Sequence, residues 1–203
     1  MTEIIKSTDL NWLEFRKSGI GASDIATVCK LNPYQTLEDL WNIKKGLKEY
    51  TEGDDAKFGK ILEPFIIQIL WNEKGRPSAI PNTITYKHRN HENLFCTPDA
   101  IIGTSELLQI KLSKMHKKFS EYNFPEYFNM QLQFEMEVMD IDKAVLLAVV
   151  GGDFARPKIY NVERDFQIGA ALVKYGIWFC STLAYAKNPF FENNFVGVNN
   201  NGN

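Results

Sequence analysis

Two charged residues, Asp99 and Lys111, lie in a stretch of sequence where strand packing favours apolar side chains. The segment FCTPDAIIGTSELLQIKLSK, residues 95 to 114, is typical of two β-strands joined by a turn. A buried or half-buried carboxylate costs several kcal/mol unless something compensates its charge. The sequence leaves two compensations open: a salt bridge between Asp99 and Lys111 at the end of a sheet, or a bound cation.

The cation alternative has a defined chemistry. Magnesium prefers hard oxygen ligands, and Asp99 and the backbone carbonyl of Ile110 can each supply one. Because side chains alternate along a strand, Lys111 points to the same face as Gln109, where it would lie over the metal. There it could orient a water molecule or stabilise a phosphate charge. Pro98-Asp99, followed ten positions later by Gln109-Ile110-Lys111, resembles the PD-(D/E)xK nuclease signature.

The composition is that of a globular protein. The chain has 203 residues, a formal net charge of −2 and three cysteines. The cysteines are far apart and form no C-x-x-C pair, which indicates reduced thiols rather than a disulfide framework or a zinc site. No apolar run is long enough to predict a membrane span, and the first residues lack the layout of a signal peptide. The small negative charge neither indicates nor excludes nucleic-acid binding, since a local basic groove can accompany an acidic remainder.

The hydrophobic period changes along the chain from helical to β-like and back. The first half is predicted to be helical, and its last helix, residues 55–75, should kink or split at Pro64. The predicted apolar face of this helix runs through Phe58, Ile61, Leu62, Phe65, Ile69 and Leu70. Strands are predicted at 83–88, 93–102, 106–112, 143–152 and 156–162, and helices at 125–139 and 165–187. This order predicts an α/β fold with helices flanking a mixed central β-sheet. We expect one domain over residues 1–190, followed by a flexible tail at 191–203.

Four segments, in order between residues 12 and 166, resemble the YqaJ viral recombinase family, which includes lambda exonuclease. They are WLEFRKSGIGASDIATVCKLNPYQTLEDLW, FGKILEP, YFNMQLQFEMEVM and VERD. The resemblance covers most of the chain. It implies a restriction-endonuclease-like core of the PD-(D/E)xK type.

The resemblance also implies a metal site. Asp99 would be the main ligand, with the carbonyl of Ile110, and Glu63 would be an acidic residue of the same site. Gln109 stands where the family has its second acidic ligand. The cofactor implied is Mg²⁺, for which Mn²⁺ would substitute.

By the same resemblance Lys111 would be the catalytic lysine. Gln131 and Gln133 would face the active centre, with Gln131 helping to place water or substrate. Two residues of one helix separated by two positions cannot share a narrow stripe, so at most one of these glutamines should face the metals.

Arg16 and Ser23 match the family residues that hold the 5′-phosphate of a DNA end. Ser23 follows Gly21 and is expected to cap a helix before Ile25. A helix N-terminus offers N–H groups to a phosphate, and Arg16 would add a bidentate donor.

Gln109 is the departure from the family pattern. A neutral amide can coordinate a metal through its oxygen but brings no negative charge. Gln109 could be a natural variant whose missing charge Glu63 supplies, an inactivating substitution, or the mark of a family member that binds DNA without cutting it.

The activity implied is that of a Mg²⁺-dependent exonuclease of phage-type recombination, which digests one strand of duplex DNA from a 5′ end and leaves a 3′ single strand. Its implied partners are DNA ends, a single-strand annealing protein and two further copies in a ring-shaped trimer. Its implied location is the cytoplasm of a bacterial host, with a phage or prophage gene. Three alternatives remain: a non-cutting DNA-end binder, a restriction-like or repair endonuclease, and a protein that only contacts other proteins, such as a phage inhibitor.

Overall fold

A computed structural model describes residues 2–7, 9, 11–51, 53–114 and 118–190, with the backbone alone for residues 2–5, 55 and 56. The predicted tail at 191–203 lies outside the described residues.

The centre of the fold is a mixed five-stranded sheet, as the sequence predicted. Its order is β3 (Ala79–Pro81), β6 (Ala100–Ile102), β7 (Glu106–Ser113), β8 (Lys143–Val150) and β9 (Lys158–Glu163). Strands β7 and β8 are parallel along their whole length, whereas the other neighbours are antiparallel. Helix α5 (Glu126–Met139) makes the crossover between β7 and β8, as parallel neighbours require.

The predicted hairpin is formed by β6 and β7, with Gly103 at φ +57° in the turn between them. The single strand predicted over 93–102 is wrong, because the chain breaks at Thr97-Pro98-Asp99. Strand β5 (His91–Cys96) ends before the break and belongs to a second sheet. Pro98 has no N–H to donate to a ladder, so the chain leaves one sheet here and enters the other.

The second sheet has the order β1 (Thr2–Lys6), β4 (Ile84–His88), β5 and β2 (Ile20–Gly21). Strands β1, β2 and β3 were not predicted. They are short or lie at sheet edges, so they carry too few alternating positions for a period to be read. A glycine makes β2 possible: a Cβ on Gly19 would lie 1.9 Å from the carbonyl oxygen of Asn93 in β5.

Six α-helices are described: α1 (Trp12–Lys17), α2 (Ala22–Val28), α3 (Leu37–Lys44), α4 (Asp54–Ile66), α5 and α6 (Phe166–Thr182). Helix α4 continues through Pro64 and then changes to a π-helical turn at Ile67–Trp71 and a 3₁₀ turn at Asn72–Lys74. Its predicted apolar face was wrong in part, since Phe58, Ile61, Phe65 and Ile69 are each half or more exposed. The buried residues of this segment are Ile66, Ile67, Leu70 and Trp71.

The central sheet separates two apolar clusters. Leu107 packs in the cluster with α5 and α6, whereas Leu108 and Ile110 pack in the cluster with the end of α4 and the π-helical turn. Side chains alternate along β7, so Gln109 and Lys111 share the face of Leu107 and are directed to α5. None of the helices in the described ranges is both long and apolar enough to cross a membrane.

Candidate active site

Asp99 lies at the junction of the two sheets, immediately before β6. Its Oδ2 accepts a hydrogen bond of 2.7 Å from the N–H of Ile110 in β7. Ile110 lies two residues after Leu108, the last residue of β7 that pairs with β6. The N–H and C=O of one residue leave an extended strand on the same side, so the Ile110 carbonyl is directed to the same edge. The side chain of Asn82 donates to the carbonyl of Pro98 at 2.9 Å and holds the junction in place.

Gln109 and Lys111 line the face of β7 that is turned to α5. Gln109 is 3% exposed, and its Oε1 is buried with no hydrogen-bond partner among the described residues. Burial raises the pKa of Asp99, and the charge of Lys111 and hydrogen bonds from the Ile110 N–H and the Gln109 side chain oppose that rise. The ammonium of Lys111 also lies 5.3 Å from the centre of the Phe128 ring.

Helix α5 closes the site from the other side with Gln131 and Glu135. The Nε2 of Gln131 donates to Oε1 of Glu135 at 2.8 Å, one helical turn further on. Glu135 is 1% exposed, and its Oε2 has no hydrogen-bond partner in the described part of the chain. Burial, and after it the charge of Asp99, raises the pKa of Glu135 to about 8, against the opposing Gln131 hydrogen bond and Lys111 charge.

The sequence did not single out Glu135. The sequence spacing could have indicated it, because Glu135 lies four positions after Gln131 and therefore on the same face of the helix. It also lies between Phe134 and Met136, both fully buried.

Gln133 lies elsewhere. Its amide donates to the carbonyl of Glu163 at 2.9 Å and accepts from the N–H of Asp165 at 2.8 Å. It thus ties α5 to the junction between β9 and α6 and does not reach the cavity. Of the two glutamines only Gln131 lines the site, in keeping with the geometric limit of one.

The other predicted site residues line one cavity of about 680 Å³. Glu63 enters it from α4, which packs on the opposite face of the sheet from α5. The predicted site residues that line it are Arg16, Ser23, Glu63, Asp99, Gln109, Ile110, Lys111 and Gln131, and Glu135 joins them.

The donor set fits a hard divalent cation. Carboxylate, amide and carbonyl oxygens converge, and two buried oxygens, Oε1 of Gln109 and Oε2 of Glu135, have no partner among the described residues. Within the described ranges no three His, Cys, Asp or Glu side chains form a metal cluster. A ligand set at this site therefore has to include oxygens other than carboxylates, and the Ile110 carbonyl and the Gln109 amide are the candidates.

At the far end of the cavity a buried ionic cluster holds Arg16. Its Nη2 donates to Oγ of Ser23 and to Oδ1 of Asp24, both at 2.9 Å. Lys44 donates to the other oxygen of Asp24 at 2.6 Å. Burial acts to raise the Asp24 pKa, but the charges of Lys44 and Arg16 overcome it and lower this pKa to about 2. The cluster fixes the guanidinium between the rings of Trp12 and Tyr50, at 5.2 and 5.5 Å from their centres.

Ser23 is not the helix cap that the sequence predicted. The cap is Gly21, whose N–H donates to Oδ2 of Asp24 at 3.0 Å, and Ser23 is the second residue of α2. Gly21 still pairs with Phe95 in the sheet, and the helix begins at Ala22, two residues earlier than a Ser23 cap would allow. The Ser23 hydroxyl is consequently exposed at the cavity wall and available to accept from Arg16.

The solved structures that resemble this fold include two of one enzyme. The alkaline exonuclease LHK-Exo of Laribacter hongkongensis has a TM-score of 0.68 and 16% identity, covering 86% of this chain and 92% of that chain. Its complex with dAMP has a TM-score of 0.69 at the same identity and coverage. A phage-related exonuclease of Haemophilus somnus 129PT has a TM-score of 0.56 and 13% identity, covering 81% of this chain and 92% of the other. These likenesses show that the chain has the fold of these exonucleases, with a mixed central sheet flanked by helices.

The sequence comparisons identify the family. The uncharacterized protein YqaJ of Bacillus subtilis (strain 168) is 26% identical over 175 residues, which are 83% of this chain and 54% of that protein. The chain thus spans about half the length of this curated relative. The family model of the YqaJ-like viral recombinase domain matches residues 11–142, from the cap of α1 to the residue before β8. The chain therefore belongs to the YqaJ-like viral recombinase domain family.

Proposed function

We propose that this protein is a Mg²⁺-dependent DNA exonuclease that digests one strand of a duplex from its 5′ end and leaves a 3′ single strand. The observation that supports this most is that Asp99, Lys111 and the Arg16–Ser23 pair line one cavity. A cutting centre and a phosphate-binding pair in one cavity suit an enzyme that holds a strand terminus while it hydrolyses a nearby bond.

The metal would be held by Asp99, the Ile110 carbonyl, Gln109 and Glu63, with Mn²⁺ as a substitute. A bound divalent ion polarises a scissile phosphate and lowers the pKa of a water molecule. The chain's own contribution is to orient the ligands: the N–H of Ile110 fixes Asp99, and the sheet junction fixes the start of β6.

Lys111 is the cation of the cutting centre. Its ammonium lies on the α5 side, close enough to influence both Asp99 and Glu135. We propose that it stabilises the charge that develops on the scissile phosphate, or steadies the attacking water. A preorganised charge at such a position acts mainly in the transition state.

The Arg16–Ser23 pair is the proposed receptor for a 5′-phosphate. Asp24, which is itself held by Lys44, accepts from the Arg16 guanidinium on the side away from the cavity, so that the position of Arg16 does not depend on the ligand. An arginine fixed in this way pays less entropy when it binds a phosphate.

Further properties are proposed from the family alone: assembly as a ring-shaped trimer, a partner single-strand annealing protein, a phage or prophage gene and action in the bacterial cytoplasm. Gln109 supports one second candidate, a DNA-end binder on the same fold that does not cut.

Digestion of linear duplexes in Mg²⁺ tests the proposal and its rival together. Three substrates are compared: a 5′-phosphorylated linear duplex, the same duplex without the phosphate, and a nicked circle. We expect the phosphorylated end to be degraded fastest, with the 3′-ended strand left intact. Binding to ends without any degradation would favour the non-cutting candidate, and cleavage at internal sites of the circle would favour an endonuclease.

A further inference from the structure

We propose that Glu135 of α5, rather than Gln109 of β7, supplies the second carboxylate to the metal bound at Asp99. This inference rests on the proposed function, because it concerns the metal of that same site. It assigns to a helix residue the charge that the strand lacks.

The first support is the burial of Glu135. The residue is 1% exposed, between Phe134 and Met136, both at 0%. One of its oxygens accepts from Gln131, and the other, Oε2, is buried with no hydrogen-bond partner among the described residues. Charged carboxylates are retained at such positions when they are paired or coordinate a metal.

The second support is the geometry of Gln109. Its side chain hydrogen bonds to Asp99, while its Oε1 has no partner in the described part of the chain. An amide that donates to Asp99 orients that carboxylate but adds no charge to the site. The central sheet therefore presents one carboxylate to this edge, that of Asp99 just before β6, where a divalent cation favours two or more.

The third support is the position of the two residues. Gln109 and Lys111 are on the face of β7 that is turned to α5, and Gln131 and Glu135 line the same cavity from α5. Asp99 lines this cavity from the sheet junction, so the carboxylates of Asp99 and Glu135 face one shared space from opposite walls. A carboxylate at position 135 of α5, in place of one at position 109 of β7, would thus keep the charge of the ligand set unchanged.

The ligand set that follows is Asp99, Glu135 and the Ile110 carbonyl, with Glu63 at the opposite wall. Gln131 becomes a positioning residue, because its amide holds Oε1 of Glu135 and leaves Oε2 to the metal. All the donors are oxygens, so the site is one for Mg²⁺ or Mn²⁺ rather than for a softer ion.

The test is Mn²⁺ binding to the full chain, measured by titration calorimetry without DNA. Glu135→Gln keeps the size of the side chain and an oxygen for Gln131, but it removes the charge. We expect Mn²⁺ affinity to fall by about tenfold or more, since ligand charge sets the affinity of such sites. Glu126→Gln, an exposed position in the first turn of the same helix, is the matched control and should bind as the wild type does. Equal affinity in the wild type and Glu135→Gln would overturn the inference.

A charge-swap variant makes the test independent of stability. Gln109→Glu combined with Glu135→Gln returns the carboxylate to the strand, and we expect Mn²⁺ affinity to recover to within about threefold of the wild type, because the ligand charge is restored. If the double variant is folded by circular dichroism and binds no better than Glu135→Gln, the inference is wrong. Should Glu135→Gln fail to fold, Glu135→Asp replaces it: the charge is kept but the reach is shortened, and an unchanged affinity again contradicts the inference.

The outcome for this inference is separable from the outcome for the proposed function. A protein that binds Mn²⁺ and degrades DNA, but does so equally well as Glu135→Gln, refutes the role of Glu135 and leaves the nuclease standing. A wild type that neither binds Mn²⁺ nor cuts DNA refutes both.

Discussion

The buried cluster of Arg16, Asp24 and Lys44 gives the strongest stability prediction. Asp24→Asn removes the only anion that Arg16 and Lys44 are seen to contact within the described residues, at 2.9 and 2.6 Å. Breaking a buried ion pair by removing one partner costs about 3–5 kcal/mol, because the remaining charge is left uncompensated. We expect the free energy of unfolding at pH 7 to fall by that amount.

The pH dependence of this effect has a definite sign. The Asp24 pKa falls from 3.8 in the unfolded chain to about 2 in the fold. The carboxylate therefore contributes stability that is fully present above pH 4 and is lost as the pH falls through 2. The linked contribution is about 2–3 kcal/mol, of which about 1 kcal/mol is lost by pH 3.

Urea unfolding of the wild type and Asp24→Asn at pH 7 and pH 3 measures both quantities. Glu92→Gln is the control. The exposed carboxylate of Glu92 pairs with Lys87 at 3.2 Å, and such surface pairs contribute less than about 1 kcal/mol. A loss at pH 7 no larger than that of the control would refute the reasoning. The reasoning would also be refuted if the difference in unfolding free energy between the wild type and Asp24→Asn were larger at pH 3 than at pH 7.

Two further variants separate the roles proposed for the cavity. Lys111→Ala should lower the turnover number by about 10²–10³, while the dissociation constant for DNA changes little, because a preorganised charge acts on the transition state; equal losses of rate and affinity would make Lys111 a plain phosphate contact. Arg16→Ala should abolish the ratio of rates on phosphorylated and unphosphorylated 5′ ends, whereas Lys17→Ala, an exposed neighbour paired with Glu14, should preserve it. A ratio unchanged in Arg16→Ala would show that Arg16 serves only to hold Asp24.

The strand of the active site was predictable because a period of two is visible over eight residues. The alternation in β7 directs Gln109 and Lys111 to one face and Leu108 and Ile110 to the other, and the structure has this arrangement. The sheet break at Pro98 was missed because strand-like apolar residues flank it on both sides, Phe95 and Cys96 before it and Ala100 to Ile102 after it. A proline marks such a break only once the pairing partners on each side are known.

Glu135 was missed for a different reason. A glutamate in the middle of a helix is usually solvated, and the sequence does not tell which side of α5 meets the sheet. The neighbouring Glu137 shows the same ambiguity, since it lies two positions away and pairs with Arg164 at 2.8 Å outside the cavity. The prediction for α4 was wrong in the opposite sense, because apolar residues that were expected to be buried are exposed. Their spacing is helical, but the helix turns neighbouring residues such as Ile66 and Ile67 to the core.

The most direct test of the account is cleavage of a 5′-phosphorylated duplex by the wild type and Asp99→Ala, with each strand labelled in turn. We expect the wild type to release nucleotides from the 5′-ended strand in Mg²⁺ and none in excess chelator, while Asp99→Ala binds the DNA end with near-normal affinity and releases none. Near-normal turnover by purified Asp99→Ala, or by the wild type without a divalent metal, would contradict it.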